Sequence, residues 1–170
     1  MNYLGFLEDA LKQGRVLGIA PQAVPMDVQA KFGNEFMEDM SKNRKVMRWD
    51  YGLIEFTFSR FEEWICTTIS IQVHRLASHG SSVVPPAVRA VYGSFPDKVH
   101  FEDLRGSLVA SGCELRQEPV PGSGFDGYSI SGTSNILYVA TSDDFSGQEP
   151  SRGDVWGIAI GRPLSADGLV

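Results

Sequence analysis

Two segments in the first half of the chain alternate apolar and polar residues, the pattern of a β-strand with one buried face. They lie within residues 46–59 and 64–75, and together they predict an antiparallel hairpin. A shift of one residue would turn the whole apolar set towards solvent, so the alternation predicts which side chains meet the core. The residues predicted to face inwards are Ile54, Phe56, Phe58, Ile65, Ile69, Ile71 and Val73.

A second set of strand-like runs follows in the other half of the chain. Each set comes after amphipathic segments whose apolar residues recur at helical spacing. The predicted helices cover residues 3–13, 26–32 and 100–111, and the later strands lie near 128–132, 135–141 and 153–161.

This repeated order predicts an α+β fold in which helices cover one face of a mainly antiparallel sheet. We expect a single domain over residues 1–170, with a tandem helix-plus-strands repeat whose halves are 1–78 and 98–164. The sequence leaves open whether the two halves share one sheet or pack as two.

The outward face of the predicted hairpin is polar but carries little charge. Such a face would be desolvated at little cost when a protein binds to it, although threonine is also common in strands for its β propensity alone. A third interpretation is a pocket in which Glu55 and His74 act as an acid–base pair. The residues predicted on this face are Glu55, Thr57, Cys66, Thr68, Ser70, Gln72 and His74.

The charge balance favours a basic partner and disfavours nucleic acid. Lys and Arg number 15 against 21 Asp and Glu, giving a formal charge of −6, and an acidic protein repels a phosphate backbone. Residues 142–152 form a polar loop in which Asp143, Asp144 and Glu149 accompany Phe145. Acids on such a loop would speed encounter with a basic protein.

The aromatic residues suggest a second part of an interface. Trp49, Asp50 and Tyr51 lie together near a strand end, and aromatics beside an acid are typical of binding hot spots. Trp156 alternates with Ile158 and Ile160, which predicts that its ring lies in the core.

The sequence predicts neither a cofactor nor a metal, and no catalytic residue. It contains no HExxH motif, no G-x-S-x-G elbow and no phosphate-binding glycine motif. The two cysteines are far apart and predict reduced thiols rather than a disulfide. With no secretory leader and no apolar run long enough to span a bilayer, we expect a cytoplasmic protein without membrane contact.

The stretch from Leu17 to Leu76 resembles actinobacterial immunity-type proteins, the small antidotes encoded beside polymorphic toxins. The resemblance implies a stoichiometric inhibitor that binds one cognate toxin domain, and it carries over no catalytic residue. The segments that carry it are Gly18-Ile19-Ala20-Pro21, residues 28–33, Trp49-Asp50-Tyr51-Gly52-Leu53-Ile54-Glu55-Phe56-Thr57-Phe58 and residues 69–76.

The resulting hypothesis is a non-enzymatic protein that occludes a toxin. A small enzyme or ligand-binding domain using Glu55 and His74, and a scaffold or regulatory component, remain as alternatives. Oligomeric state is left open. The residues predicted to bind the partner are Trp49, Asp50, Tyr51, Glu55, His74, Asp143, Asp144, Phe145 and Glu149.

Overall fold

One eight-stranded antiparallel sheet organises the protein, and the fold is α+β. A computed structural model describes residues 2–122, 124–144 and 146–161. The strand order across the sheet is β1-β2-β3-β4-β8-β7-β6-β5. The strands are β1 (Met37–Met40), β2 (Val46–Asp50), β3 (Ile54–Arg60), β4 (Trp64–Ile71), β5 (Leu115–Glu118), β6 (Phe125–Ile130), β7 (Ile136–Ala140) and β8 (Val155–Gly161).

The three helices predicted from the sequence are confirmed, and two shorter ones join them in the middle of the chain. None of the helices in the described ranges combines the length and the apolar character that crossing a membrane requires. The helices are α1 (Tyr3–Gln13), α2 (Pro25–Phe32), α3 (Arg75–His79), α4 (Pro86–Tyr92) and α5 (Phe101–Ala110), with a 3-10 turn at Gly80–Val83.

Helix α1 shows why these segments fold as they do. The side chain of Asn2 accepts a hydrogen bond from the backbone N–H of Gly5 at 3.0 Å, which caps the first turn. Gly14 ends the helix in the left-handed region, at φ 63°, where a side chain would be strained. Between the caps, Phe6, Leu7 and Leu11 are buried.

The core lies between the helices and one face of the sheet. Ile54, Phe56 and Phe58 of β3 are fully buried there, as predicted, against side chains of α1, α2, α4 and α5. The opposite face of the sheet carries the alternate residues of the same strands and is called the open face below. The helices therefore cover one side and leave the other for solvent or a partner.

The two halves of the chain share a single sheet, joined at the antiparallel pair β4–β8. Ile69 pairs with Ile160 and Ile71 with Ile158, symmetrically about the pair Ser70–Ala159. The first four strands and the last four therefore lie in mirrored order on either side of this seam. A local two-fold axis relates the strands of the two halves.

Two β-bulges correct the facing predicted by simple alternation. In β4, Thr57 pairs with Thr68 but Phe58 pairs with Cys66, so Thr67 is the extra residue. Cys66 is therefore fully buried in the core rather than on the open face, where the sequence pattern had put it. Ile65, predicted to face inwards, pairs with Ser59 and is half-buried. A bulge inserts one residue and so reverses the alternation beyond it.

The bulge in β8 moves a tryptophan in the same way. Tyr138 pairs with Gly157 while Val139 pairs with Val155, which leaves Trp156 as the extra residue. Val155 is buried in the core, whereas Trp156 is half-buried beside residues of the open face. The prediction that Trp156 belongs to the core was therefore wrong.

Candidate functional site

The centre of the open face is lined by small residues. Ser70 of β4 lies opposite Ala159 of β8, and Gly157 lies two residues before Ala159 on the same strand. A Cβ atom at Gly157 would lie 2.7 Å from the carbonyl oxygen of Ile71, so the close approach of these strands requires glycine. Because these side chains are small, the centre of the open face forms a depression.

Larger residues surround this centre and form an open cavity of about 310 Å³. The loop after β5 folds onto the face, where a methyl group of Val120 occupies the space that a Cβ of Gly127 would need. We call this space the sheet-face cavity. It is lined by Ser70, Ile71, Gln72, Pro121, Phe125, Tyr138, Trp156, Gly157, Ile158 and Ala159.

A second cavity, of about 260 Å³, lies beside the first under the loop that joins β7 to β8. We call it the loop cavity. Phe125 and Trp156 line both cavities, and their ring centroids are 5.0 Å apart. These two rings therefore separate an apolar compartment from an acidic one. The loop cavity is lined by Gly124, Phe125, Ala140, Ser142, Asp143, Asp144, Glu149, Pro150 and Trp156.

The acidic loop is shaped by one of its own carboxylates. Asp144 accepts hydrogen bonds from the hydroxyl of Ser146 at 2.7 Å and from the backbone N–H of Glu149 at 2.9 Å. These bonds lower the pKa of Asp144 to about 2, and the hydrogen bond from the Ser146 hydroxyl contributes most. The carboxyl group is therefore ionised at neutral pH. Asp143 lies 3.8 Å from Arg152, and Glu149 is exposed.

His74 supports Trp156 from the side of β4. The two rings stack with centroids 4.5 Å apart and planes 10° from parallel. The backbone N–H of His74 donates to the carbonyl of Trp156 at 2.9 Å, and Nδ1 lies 3.3 Å from the same oxygen. Burial lowers the pKa of His74, and this outweighs the raising effects of the Trp156 carbonyl, Glu149 and Glu55. The imidazole is therefore mainly neutral at pH 7.

Glu55 belongs to a separate ion-pair network at the end of β4. Its Oε1 accepts from Arg75 at 2.5 Å, and its Oε2 accepts from Gln72 at 2.9 Å. Arg75 also donates to both oxygens of Asp50, at 2.9 and 3.0 Å, and to the carbonyl of Gly52. Both oxygens of Glu55 are thus engaged by groups other than His74, which does not support the acid–base pair.

The aromatic pair predicted as a hot spot lies inside the protein. Trp49 and Tyr51 are each 7% exposed. Trp49 stacks on Phe36 with centroids 4.2 Å apart and donates its indole N–H to Glu38 at 2.9 Å. Tyr51 donates its hydroxyl to the carbonyl of Gly33 at 2.8 Å, and burial raises its pKa to about 12. Trp49 lies in β2 and Tyr51 directly follows that strand, and both rings pack into the core with little surface left for a partner.

The structure thus brings together four of the nine predicted site residues: His74, Asp143, Asp144 and Glu149 adjoin Trp156. Asp50 and Glu55 lie in the Arg75 network, and Phe145 falls outside the described residues. Sequence reasoning missed Trp156, Tyr138, Phe125 and Pro121. The signal in the sequence is Gly157, which directly follows Trp156, because a glycine inside a strand often marks a β-bulge.

Comparisons with known proteins add no identification. Searches of protein-family models, curated proteins and solved structures found no significant match to this chain. Within the described ranges, no group of three or more His, Cys, Asp or Glu side chains is arranged to hold a metal ion. The function therefore has to be inferred from the geometry of the site itself.

Proposed function

We propose that this chain is a non-enzymatic, protein-binding inhibitor of the immunity type. It acts in the cytoplasm and neutralises a cognate toxin domain by covering its active site. The observation that supports this is the open face of the sheet, which is rich in small uncharged residues and bordered by the acidic loop with Asp143, Asp144 and Glu149.

The chemistry of the face suits a protein partner. Threonine, serine, alanine and glycine side chains lose little conformational entropy when a partner covers them, and uncharged groups lose little hydration. The carboxylates at the border would attract a basic domain and raise its association rate. A toxin that acts on nucleic acid would present such a basic surface around its active site.

The size of the face is also sufficient. Eight strands at a spacing of about 4.8 Å span roughly 34 Å, and strands of four to eight residues are on average roughly 20 Å long. The product, roughly 700 Å², approaches the ~800 Å² that each partner contributes to a standard protein interface. With the acidic loop added, one face of this protein would cover a whole active-site cleft.

The experiment requires a gene beside this one whose product has a C-terminal domain that arrests growth when expressed alone. Co-expression of this chain should restore growth, and the two purified proteins should form a 1:1 complex in which the toxin activity is lost. Growth arrest that persists at equal expression, with no complex by calorimetry, would reject the proposal for that pair. A neighbouring toxin whose own separate antidote already restores growth would serve as the control.

The alternative of a small enzyme based on Glu55 and His74 has weaker support. The carboxylate oxygens of Glu55 accept hydrogen bonds from Arg75 and Gln72, whereas Nδ1 of His74 contacts the carbonyl of Trp156. The sheet-face cavity adjoins Trp156, on which His74 stacks, and its volume is at the lower limit of small-molecule sites, which run from about 300 Å³. If the Glu55→Gln variant turned over a small molecule as fast as the native protein, the acid–base role of Glu55 would be rejected, whereas binding of the molecule in the cavity would not.

A further inference from the structure

The two cavities that meet at Trp156 form one groove with two unlike compartments. We propose that this groove binds an extended segment of a basic protein partner, with an apolar side chain in the sheet-face cavity and a lysine or arginine two residues later in the loop cavity. The inference deepens the proposed function and rests on it for the identity of the partner. It names the chemistry that the partner must present.

The spacing of the segment follows from strand geometry. Side chains at positions i and i+2 of an extended chain point the same way and lie about 7 Å apart. The rings of Phe125 and Trp156 stand between the two compartments, since both rings line both cavities. A segment lying across these rings would place one side chain on each side of them.

The sheet-face cavity is built for an apolar side chain. Its walls are the rings of Phe125, Tyr138 and Trp156 with Pro121. The small residues Ser70, Gly157 and Ala159 form its base and leave room for a side chain. Gly157 is required there because a Cβ atom would collide with the carbonyl of Ile71 on β4. A leucine or phenylalanine that entered would exchange contact with water for contact with aromatic carbon.

The loop cavity is complementary to a cation. Residues 142–152 carry three carboxylates and one arginine, a net charge of −2. Asp144 is fixed in its ionised form by Ser146 and by the backbone of Glu149, while Glu149 is exposed at the rim. The neighbouring His74 is neutral at pH 7, so it adds no repelling charge. An ammonium or guanidinium group beside the Trp156 ring would also gain cation–π attraction.

The two larger cavities fit this role less well because each is lined by side chains of both charge signs. The charged residues described in the lining of the loop cavity are, in contrast, all carboxylates. The cavity beside Tyr51, of about 500 Å³, is lined by Asp50 and Arg75, which form an ion pair at 2.9 Å. The cavity beneath α5, of about 550 Å³, contains Arg105, which pairs with Glu102 at 3.4 Å. Charge complementarity therefore singles out the groove at Trp156.

The test uses short peptides and needs no toxin. The full chain, labelled with ¹⁵N, is titrated by NMR with acetyl-Leu-Ser-Arg-amide. One matched peptide has citrulline in place of arginine, which keeps the shape and removes the charge, and another has glycine in place of leucine. We expect saturable shifts in the residues of the groove and in the Trp156 indole, with a dissociation constant in the millimolar range. Citrulline should weaken binding about tenfold, and glycine should also weaken it about tenfold.

Variants locate the site. Glu149→Gln, at an exposed position, should weaken the arginine peptide at least threefold and leave the citrulline peptide unchanged. The control Glu62→Gln removes the same charge at the exposed β3–β4 turn and should alter neither. Trp156→Ala should abolish binding of both the arginine and the citrulline peptide. If that variant does not fold, the Glu149→Gln variant and the comparison of the two peptides still test the inference.

Equal binding of the arginine and citrulline peptides, or shifts confined to another surface, would overturn the inference. Its failure is distinguishable from failure of the proposed function. If a toxin is neutralised equally well by the Glu149→Gln and Trp156→Ala variants, the inhibitor proposal stands and the groove is rejected. If the peptides bind as expected but the neighbouring toxin is not neutralised, the groove stands and the inhibitor proposal is rejected.

Discussion

Replacing Arg75 with alanine should be one of the most damaging single changes at the margin of the sheet. Its guanidinium donates to both oxygens of Asp50, to the carbonyl of Gly52 and to Glu55. Without it, the Glu55 carboxylate, whose side chain is only 8% exposed, keeps a hydrogen bond from the neutral amide of Gln72 but loses its positive partner. Removing one partner of a buried ion pair costs roughly 3–5 kcal/mol, because the remaining charge loses its compensation.

The partial exposure of Arg75, at 26%, puts the expected loss near the lower end of that range, at about 3 kcal/mol. In a chain of this length such a loss corresponds to a fall in melting temperature of about 6–12 °C. Urea denaturation followed by circular dichroism measures the free energy of unfolding directly. The double variant Arg75→Ala, Glu55→Gln should recover at least about 1 kcal/mol, since the orphaned charge is then gone.

The control is Arg48→Ala, which breaks an ion pair of similar length on the surface. Arg48 lies 3.1 Å from Asp39, but the two side chains are 48% and 72% exposed. Water screens such pairs, so the expected loss is under about 1 kcal/mol. Equal losses for Arg75→Ala and Arg48→Ala would refute the argument that burial makes the Arg75 network strong.

Three further predictions test the bulges and the loop. Burial raises the pKa of the Cys66 thiol to about 12, so a thiol reagent at pH 8 should modify only the half-exposed Cys113 of the native protein, and both cysteines after unfolding. Gly157→Ala should destabilise by about 1–3 kcal/mol in urea because its Cβ would meet the Ile71 carbonyl. In contrast, Gly106→Ala, with open space in α5, should stabilise by up to about 1 kcal/mol. The Asp144 pKa is depressed from 3.8 to about 2, so its hold on the loop is complete above pH 3.8 and lost as pH falls towards 2. The amide signals of Ser146 and Glu149 in NMR spectra should shift over that pH window, and Asp144→Ala should remove the transition.

The class of fold was predictable because it depends on patterns that many residues share. The alternation at Ile54, Phe56 and Phe58 and the helical spacing in α1 each involve several side chains, and both predictions are confirmed. That the halves share one sheet was not predictable, because the pairing of β4 with β8 joins residues about 90 positions apart. Nothing local in the sequence encodes that contact.

The candidate site was less predictable because single residues decide it. One inserted residue in β4 moved Cys66 into the core, and one in β8 moved Trp156 beside the open face. The polarity of the hairpin face and the acids of residues 142–152 were evident in the sequence. Their meeting at Trp156 depends on the β7–β8 loop folding back onto Phe125, which only the three-dimensional structure reveals.

The local two-fold symmetry helps to explain why the aromatic rings of the groove come from the second half of the chain. The bulge residue Thr67 of β4 corresponds to Trp156 of β8, since each is the extra residue in the fourth strand of its half. In the neighbouring strands, Thr57 of β3 corresponds to Tyr138 of β7, because each pairs with the residue that follows the bulge. The same backbone thus carries threonines on one side of the seam and aromatic rings on the other. Transplanting the rings, as Thr67→Trp with Thr57→Tyr, together with Glu62→Gln and Glu63→Gln in the corresponding β3–β4 turn, should therefore create an apolar pocket without an acidic loop. When Trp156→Ala removes the native site, this variant should bind acetyl-Leu-Ser-citrulline-amide as well as the arginine peptide. A preference for arginine in that background would show that the aromatic rings alone select the cation, and that the carboxylates of residues 142–152 do not.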